Sequence, residues 1–263
     1  MRISKELRDK IIDIGDWMLE QQTKIHSEQI VLKGKNDLVS YVDKEAEYKI
    51  KEVLIKTFPE AKIIGEETNT GYDSIDDGYY WVVDPLDGTT NFLHHLPIFA
   101  ISIGLVKNKQ PILGIIYDPS RKEFFEASKG NGAFLNQKRI HVSSQDNIEN
   151  ALFATGFPYY EFSQLDTYLS FLQYLMKNSH GLRRMGAAAI DLAWVAAGRF
   201  EGFFEYNLKP WDVCAGKILV EEAGGSVSNF SGQEDVVFKG EIIAGGKVFQ
   251  DFLKELQKFW YVR

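Results

Sequence analysis

The chain has little of what would tie it to an oxidising compartment or a membrane. It holds one cysteine, Cys214, so no intrachain disulfide can form and nothing suggests a secreted, cross-linked scaffold. The longest apolar run, Ile98 to Val106, is too short to cross a bilayer and is interrupted by Ser102 and Gly104. The start, Met1-Arg2-Ile3-Ser4-Lys5-Glu6-Leu7-Arg8, is too charged for the core of a signal peptide. Positive charge is also in deficit: the formal net charge is −7 and the lysines are scattered. A nucleic-acid partner would call for a basic stripe. Repeats, low-complexity tracts and linkers are absent as well. The expectation is a cytoplasmic protein with neither a membrane nor a nucleic-acid partner. A small anionic substrate stays open, because local positive charge can outweigh the net balance.

What is present suits a full globular core. The chain has 263 residues with 44% hydrophobic content, enough for one domain made of two packed halves, about 1–145 and 146–263. Leu7, Ile11, Ile14 and Met18 recur at helical spacing and predict a helix over about 4–22. A turn is expected at Gly34 to Asn36. A second helix is expected from Asp43 through Ile55, stopped by Pro59. Strands are expected at 61–64 and 79–83, then two antiparallel hairpins, 99–106 with 112–117 and 123–127 with 132–135. Helices follow over 165–177, 186–197, 212–223 and 248–258, with a strand after Gly198. This mixture predicts layers of both element types with many antiparallel neighbours.

The most informative stretch is Trp81-Val82-Val83-Asp84-Pro85-Leu86-Asp87-Gly88-Thr89-Thr90-Asn91-Phe92. An apolar strand delivers two aspartates onto one turn. Buried acids are costly unless something positive compensates them. Mg²⁺ takes oxygen ligands, typically carboxylates with waters and substrate phosphate. Gly88-Thr89-Thr90 can open a helix whose free N–H groups face an anion. Glu66 ends the preceding strand, and Asp212 follows Trp211 at the head of a helix. Taken singly each acid has a plain structural reading: Asp84 and Asp87 as turn residues, Glu66 as a solvated loop residue, Asp212 as a helix N-cap.

Together these segments form a pattern. Gly65-Glu66-Glu67, the long Asp84 segment, then Trp211-Asp212-Val213-Cys214-Ala215-Gly216 through Glu222-Ala223-Gly224-Gly225 occur in order and resemble the inositol monophosphatase family across nearly the whole chain. The resemblance implies a layered α/β/α/β/α sandwich of the inositol monophosphatase and fructose-1,6-bisphosphatase type, with largely antiparallel sheets. It implies Mg²⁺-dependent, Li⁺-sensitive hydrolysis of phosphomonoesters, two or three Mg²⁺ ions, and a homodimer. By position, Glu66, Asp84, Asp87, Asp212 and the carbonyl of Leu86 match metal ligands. Asp43 matches an acid near a more weakly held third ion. Gly88, Thr89 and Thr90 match phosphate-binding positions, with Glu66 and Thr89 helping to activate the attacking water. Asp87, Ala188, Glu205 and Asp212 match positions near the substrate.

The expected reaction is direct attack of metal-activated water, with no phospho-enzyme. Departures from the animal pattern bear on the substrate. Gly186-Ala187-Ala188-Ala189 lacks a threonine hydroxyl, and Lys209-Pro210 replaces a histidine-containing pair. Inositol monophosphate or a related sugar or polyol phosphate is therefore weighed against NADP, 3′-phosphoadenosine 5′-phosphate and fructose 1,6-bisphosphate, and against an inactive metal-binding regulatory protein. Phe157-Pro158-Tyr159-Tyr160 is a candidate stacking surface or, with Ile98–Val106, a subunit contact. His94 and His95 are expected at the surface or behind the ligands, and Cys214 as a buried small hydrophobe. For Arg183-Arg184, binding of an anionic substrate or a partner subunit is weighed against plain exposed positive charge, which is the expectation, and Lys33 and Lys35 are expected as solvated or steering cations.

Overall fold

The computed structural model describes residues 3–25, 37–68, 76–158 and 161–261, and the strand 31–34; for 31–39 only the backbone is described. The expected turn at Lys35 and Asn36, the lysine side chains at 33 and 35, and the ring pair Tyr159-Tyr160 lie outside the described residues. Helix α1 (Lys5–Gln22) is capped by Ser4, whose hydroxyl accepts from the Leu7 N–H, and buries Leu7, Ile11, Ile14 and Met18. Strands β1 (Val31–Gly34) and β2 (Asp37–Val39) form a small antiparallel ribbon. It leads into α2 (Tyr41–Thr57), which begins earlier than its first charged run suggests because Ser40 is the N-cap and Asp43 closes a capping box.

The first sheet follows chain order: β3 (Lys62–Gly65), β4 (Tyr79–Asp87), β5 (Ala100–Lys107), β6 (Gln110–Asp118), β7 (Glu123–Ser128), β8 (Gly132–Leu135) and β9 (Lys138–Ile140). Only its β3–β4 pair is parallel. The pleat sorts its side chains. Trp81, Val83, Ile101, Ile103 and Leu105 pack under α1 and α2. Tyr80, Val82 and Ile116 face the opposite way, onto α5 (Ala188–Ala196) and α6 (Pro210–Glu222).

The second sheet runs in the order β11 (Gly181–Arg183), β10 (Leu152–Thr155), β12 (Gly202–Tyr206), β14 (Glu241–Gly245), β13 (Ser226–Ser228). Its β10 pairs are parallel and its β14 pairs antiparallel. One face shares the α5/α6 core through Ala154, Phe203 and Ala244. The other packs Phe153, Phe204 and Ile243 against α4 (Leu165–Asn178) and α7 (Phe249–Trp260). The layers are thus α1/α2, first sheet, α5/α6, second sheet, α4/α7, the expected five-layer sandwich.

Two details position the site. The β4 strand does not stop at Val83 but continues through the aspartates. Its ladder with β5 is irregular between Asp84, opposite Ser102, and Asp87, opposite Ala100. Pro85 brings no N–H to a ladder, and one extra residue is bulged out. Residues three apart on a regular strand face opposite ways; the bulge turns Asp87 to the side of Asp84. Second, Gly104 and Gly114 are register partners on β5 and β6. A Cβ on Gly104 would lie 2.3 Å from Cys214 Sγ, and one on Gly114 2.6 Å from the Ala215 carbonyl oxygen. This bare strip lets α6 lie directly on the sheet.

The apolar run 98–106 is not a subunit surface. Ala100 to Val106 are buried within the sheet, so the contact expected there is overturned.

Candidate active site

The acids reach one cavity from both halves of the fold. Strand β3 runs parallel to β4 with Gly65 opposite Val83, and the Glu66 N–H donates to the Val83 carbonyl at 3.1 Å. Glu66 therefore stands beside Asp84 on the same rim. Asp212 arrives from α6. It is not the N-cap: Lys209 holds that position, Pro210 begins the helix, and Asp212 Oδ2 accepts from the Lys209 N–H at 2.6 Å. Asp87 Oδ2 accepts from the Ala189 N–H at 2.7 Å, joining β4 to the start of α5. Glu66, Asp87 and Asp212 line a cavity of about 210 Å³ that also touches Ala188, Glu205 and Lys209.

Their electrostatics are those of crowded like charges. Asp84 is buried, and its carboxyl is held well above the usual carboxylate range by burial and then by Glu66, Asp87 and Asp212. Asp212 is raised likewise, by burial and by Asp87, Glu66 and Glu205. Burial raises Asp87 to about 6 against the opposing N–H groups of Ala189 and Ala188 and the charge of Arg184.

A second group lies behind Thr89. Gly88 takes a left-handed φ of 90° and caps the short helix α3 (Thr89–Leu93). The Thr89 hydroxyl lies 3.0 Å from both Asp43 Oδ1 and the Leu86 carbonyl oxygen. It has one proton, so it donates to one of them at a time. Asp43 Oδ2 accepts from the Ser40 N–H and hydroxyl, and burial raises the Asp43 carboxyl against these bonds. Thr90 is exposed at the rim. The amides of Ala188 and Ala189 turn toward Asp87, so the contribution of Ala188 passes through that carboxylate.

Several contributors escape a reading of the sequence. Glu47 on α2 is buried; it accepts from the Glu67 N–H at 2.8 Å and the Thr68 hydroxyl at 2.6 Å, and pairs with Lys51 at 2.7 Å. A Cβ on Gly65 would lie 2.3 Å from its Oε2, so that glycine admits the clamp that fixes the Glu66 turn. The only trace in the sequence is the Glu47–Lys51 spacing on one helix face. Asn91 Nδ2 donates to the carbonyls of Ile98 and Met185, both at 2.8 Å, stitching α3 to the chain before Gly186. Gly156 makes room for Glu205, whose carboxyl oxygens lie 2.0–2.1 Å from where a Cβ would stand. Arg184 is half-buried in the cavity wall with its guanidinium 5.4 Å from the Phe157 ring centroid, which corrects the expectation of a fully exposed pair; Arg183 is exposed. His94 and His95 are exposed. Cys214 is buried, its thiol pushed up to about 12 by burial, which makes it an inert hydrophobe.

The donors suit a hard divalent cation in kind and in charge. They are oxygens only, their negative charges crowd one another, and backbone N–H groups anchor one oxygen each of Asp84, Asp87 and Asp212. Among the described residues, no three His, Cys, Asp or Glu side chains are gathered into a finished cage.

A profile of the inositol monophosphatase family matches residues 6–260. The chain belongs to the inositol monophosphatase family. It is 41% identical over 244 residues to a protein named fructose-1,6-bisphosphatase/inositol-1-monophosphatase from Aquifex aeolicus, covering 93% of this chain and 90% of that one. It is 44% identical over 234 residues to the Nus factor SuhB of Pseudomonas aeruginosa, covering 86% and 84%. The crystal structure of the extragenic suppressor protein suhB from Bartonella henselae superposes with a TM-score of 0.88 at 40% identity, covering 96% and 97%. Membership of the family places the chain among phosphatases. Among the described residues no helix is long and apolar enough to cross a membrane.

Proposed function

We propose that the chain is a Mg²⁺-dependent phosphomonoesterase that hydrolyses inositol monophosphate or a related small polyol or sugar phosphate. The observation that carries this reading is Asp84, buried against Glu66, Asp87 and Asp212, an excess of negative charge that bound cations would neutralise. Glu66, Asp84, Asp87, Asp212 and the Leu86 carbonyl would hold two or three Mg²⁺ ions. When bound, the ions acidify a water and offset charge on the phosphoryl group.

The chain's own residues do the rest. Thr89, tied to Asp43 and the Leu86 carbonyl, orients the attacking water, and Glu66 accepts its proton. The amides of Gly88 to Thr90 hold phosphate oxygens in place. Glu205, seated against Gly156, receives the hydroxyl-bearing end of the substrate, with Asp87, Asp212 and Ala188 flanking it. Lys209, exposed at the mouth, draws anions inward. The whole chain acts as one catalytic unit of two halves, about 1–145 and 146–263. Inhibition by Li⁺ and assembly as a homodimer belong to the same reading; sedimentation as a monomer at micromolar concentration would remove the latter.

The test is phosphate release with Mg²⁺ from myo-inositol 1-phosphate, fructose 1,6-bisphosphate, NADP and 3′-phosphoadenosine 5′-phosphate. Release from the first, abolished by a chelator, is the expected result. Release from none refutes the reading. Faster release from the bisphosphate favours a second reading, fructose-1,6-bisphosphatase, which the Aquifex relative's name and the positive charge of Arg184 and Lys209 support.

A different reading follows from the name Nus factor carried by a 44% identical relative. The expectation that nucleic acid plays no part does not stand unopposed beside that name. A role of that kind need not use the chemistry. Asp84→Asn separates the two: a variant that loses phosphate release and keeps the cellular role would show that the role is not the hydrolysis.

A further inference from the structure

One oxygen in the cavity wall has no use in the machinery above. Asp191 sits in the first turn of α5, is 1% exposed, and lines the same cavity as Glu205 and Asp87. Its Oδ1 is buried and accepts no hydrogen bond. A buried acceptor left without a partner destabilises the fold, and more so when the group is charged. Its surroundings do not explain it as a plain structural acid. The helix amides that would serve it, those of Ala188 and Ala189, are turned to Asp87, while the Asp191 N–H donates to the Ala187 carbonyl at 3.0 Å. Burial, and then Glu205 and Asp87, hold its carboxyl well above the usual carboxylate range, and Arg184 offsets part of that. An acid in a helix that otherwise reads Ala-Ala-Ile-x-Leu-Ala-Trp-Val-Ala is also out of keeping with its neighbours.

The two acidic groups of the cavity differ in whom they face. Asp84 is crowded by Glu66, Asp87 and Asp212, whereas Asp191 is crowded by Glu205 and Asp87, with Arg184 opposing them. Asp87 belongs to both, and Glu205 also acts on Asp212. Asp191 therefore stands on the side of Glu205, where the alcohol portion of a phosphate ester would rest. An acceptor oxygen in that place wants a donor, and a hydroxyl of the substrate supplies one.

We propose that Asp191 is a specificity-determining residue whose unpaired oxygen accepts a hydrogen bond from a second hydroxyl of the alcohol being released, so that esters of hydroxyl-rich alcohols are preferred over esters without one. The proposal rests on reading the cavity as a phosphatase site. It assigns a role to a residue outside the cation-holding set, and the acceptor chemistry names the class of leaving group.

The experiment compares wild type, Asp191→Ala and Asp191→Asn in the full chain with Mg²⁺. The substrates are myo-inositol 1-phosphate and glycerol 2-phosphate, which carry further hydroxyls, and phenyl phosphate, which carries none. For Asp191→Ala the expected result is a rise of about tenfold in KM for the two polyol esters, the worth of one hydrogen bond of 1.4 kcal/mol. Their kcat, and both constants for phenyl phosphate, should hold. Asp191→Asn keeps an acceptor oxygen in the same volume and should recover most of the loss. A drop shared equally by all three substrates, no change in any of them, or unfolding of both variants assigns Asp191 to packing and overturns the proposal. Wild-type chain that releases phosphate from none of the three overturns the phosphatase reading, and this assignment with it.

Discussion

The two sheets carry the two ends of the cavity on different plans. The first is laid down strand after strand, each beside its predecessor, and its contribution lies on neighbouring strand ends: Glu66 on one, Asp84 to Thr90 on the next. The second is assembled by crossovers, and its end of the cavity draws on Gly156 after β10, Arg184 after β11, Asp191 on α5 and Glu205 on β12. A contiguous end fixes its geometry by local covalent connection and one bulge. A dispersed end depends on how separate elements pack, so single changes there alter what fits while the bulged end of β4 keeps its local geometry. On the proposed function, the first end performs the chemistry and the second selects the alcohol.

The largest expected break in this comparison is Asp84→Asn. It should lower kcat by about 10²–10³-fold or more, the scale of losing a preorganised charged group. In a chelator the same change should raise Tm, because one member of a crowded acidic cluster is neutralised. Near-normal turnover at saturating Mg²⁺ sinks the ligand assignment. Next is Glu47→Gln, which keeps the size of the clamp and loses its charge. Because Glu47 holds the turn that carries Glu66, Mg²⁺ affinity measured by calorimetry should fall about 10–100-fold, as for other groups that orient ligands. Unchanged affinity would detach the clamp from the site.

Asn91→Ala should cost about 1–3 kcal/mol of stability, read by urea unfolding, since it orphans the Ile98 and Met185 carbonyls that tie the ends together. A further comparison concerns pH. Burial lifts Glu205 from an ordinary 4.5 to about 8, with Arg184 opposing the shift and Asp87 adding to it. An acid whose pKa rises on folding favours the fold while it is protonated. That contribution is complete below about 4.5 and is lost as pH rises through about 8. Thermal melts in a chelator should therefore decline across that window, with the raised carboxyls of Asp84, Asp87, Asp191 and Asp212 adding to the decline, and Glu205→Gln should make it shallower. A wild-type Tm that holds level there contradicts the buried, protonated state.

Much of the first end is legible in the sequence because it is local. The apolar strand before Asp84, the Pro85 break and the Gly88 cap are adjacent letters, and the hairpins of the first sheet announce themselves by turns such as Gly130-Asn131-Gly132. The short strands at 152–155, 181–183, 226–228 and 241–245 do not, since each is only three to five residues and is defined by partners far along the chain. Asp212 was readable as a helix-start acid but not as the third residue of its helix, because the backbone of Lys209 rather than its side chain sets the cap. Glu47, Asn91 and Gly156 matter through tertiary neighbours alone. Asp191 left one faint mark, a charge in an apolar helix.

The paired glycines at 104 and 114 have a consequence for the reach between the two sheets. Because α6 rests on naked backbone there, the height of that helix above the sheet is set by missing methyl groups. Asp212 rides on α6 and Asp84 on the strand next to Gly104, so this bare spot acts as the spacer that gauges how near the two carboxylates come. A single alanine at either position, remote from any substrate, would jack the helix upward and detune the spacing of the acids.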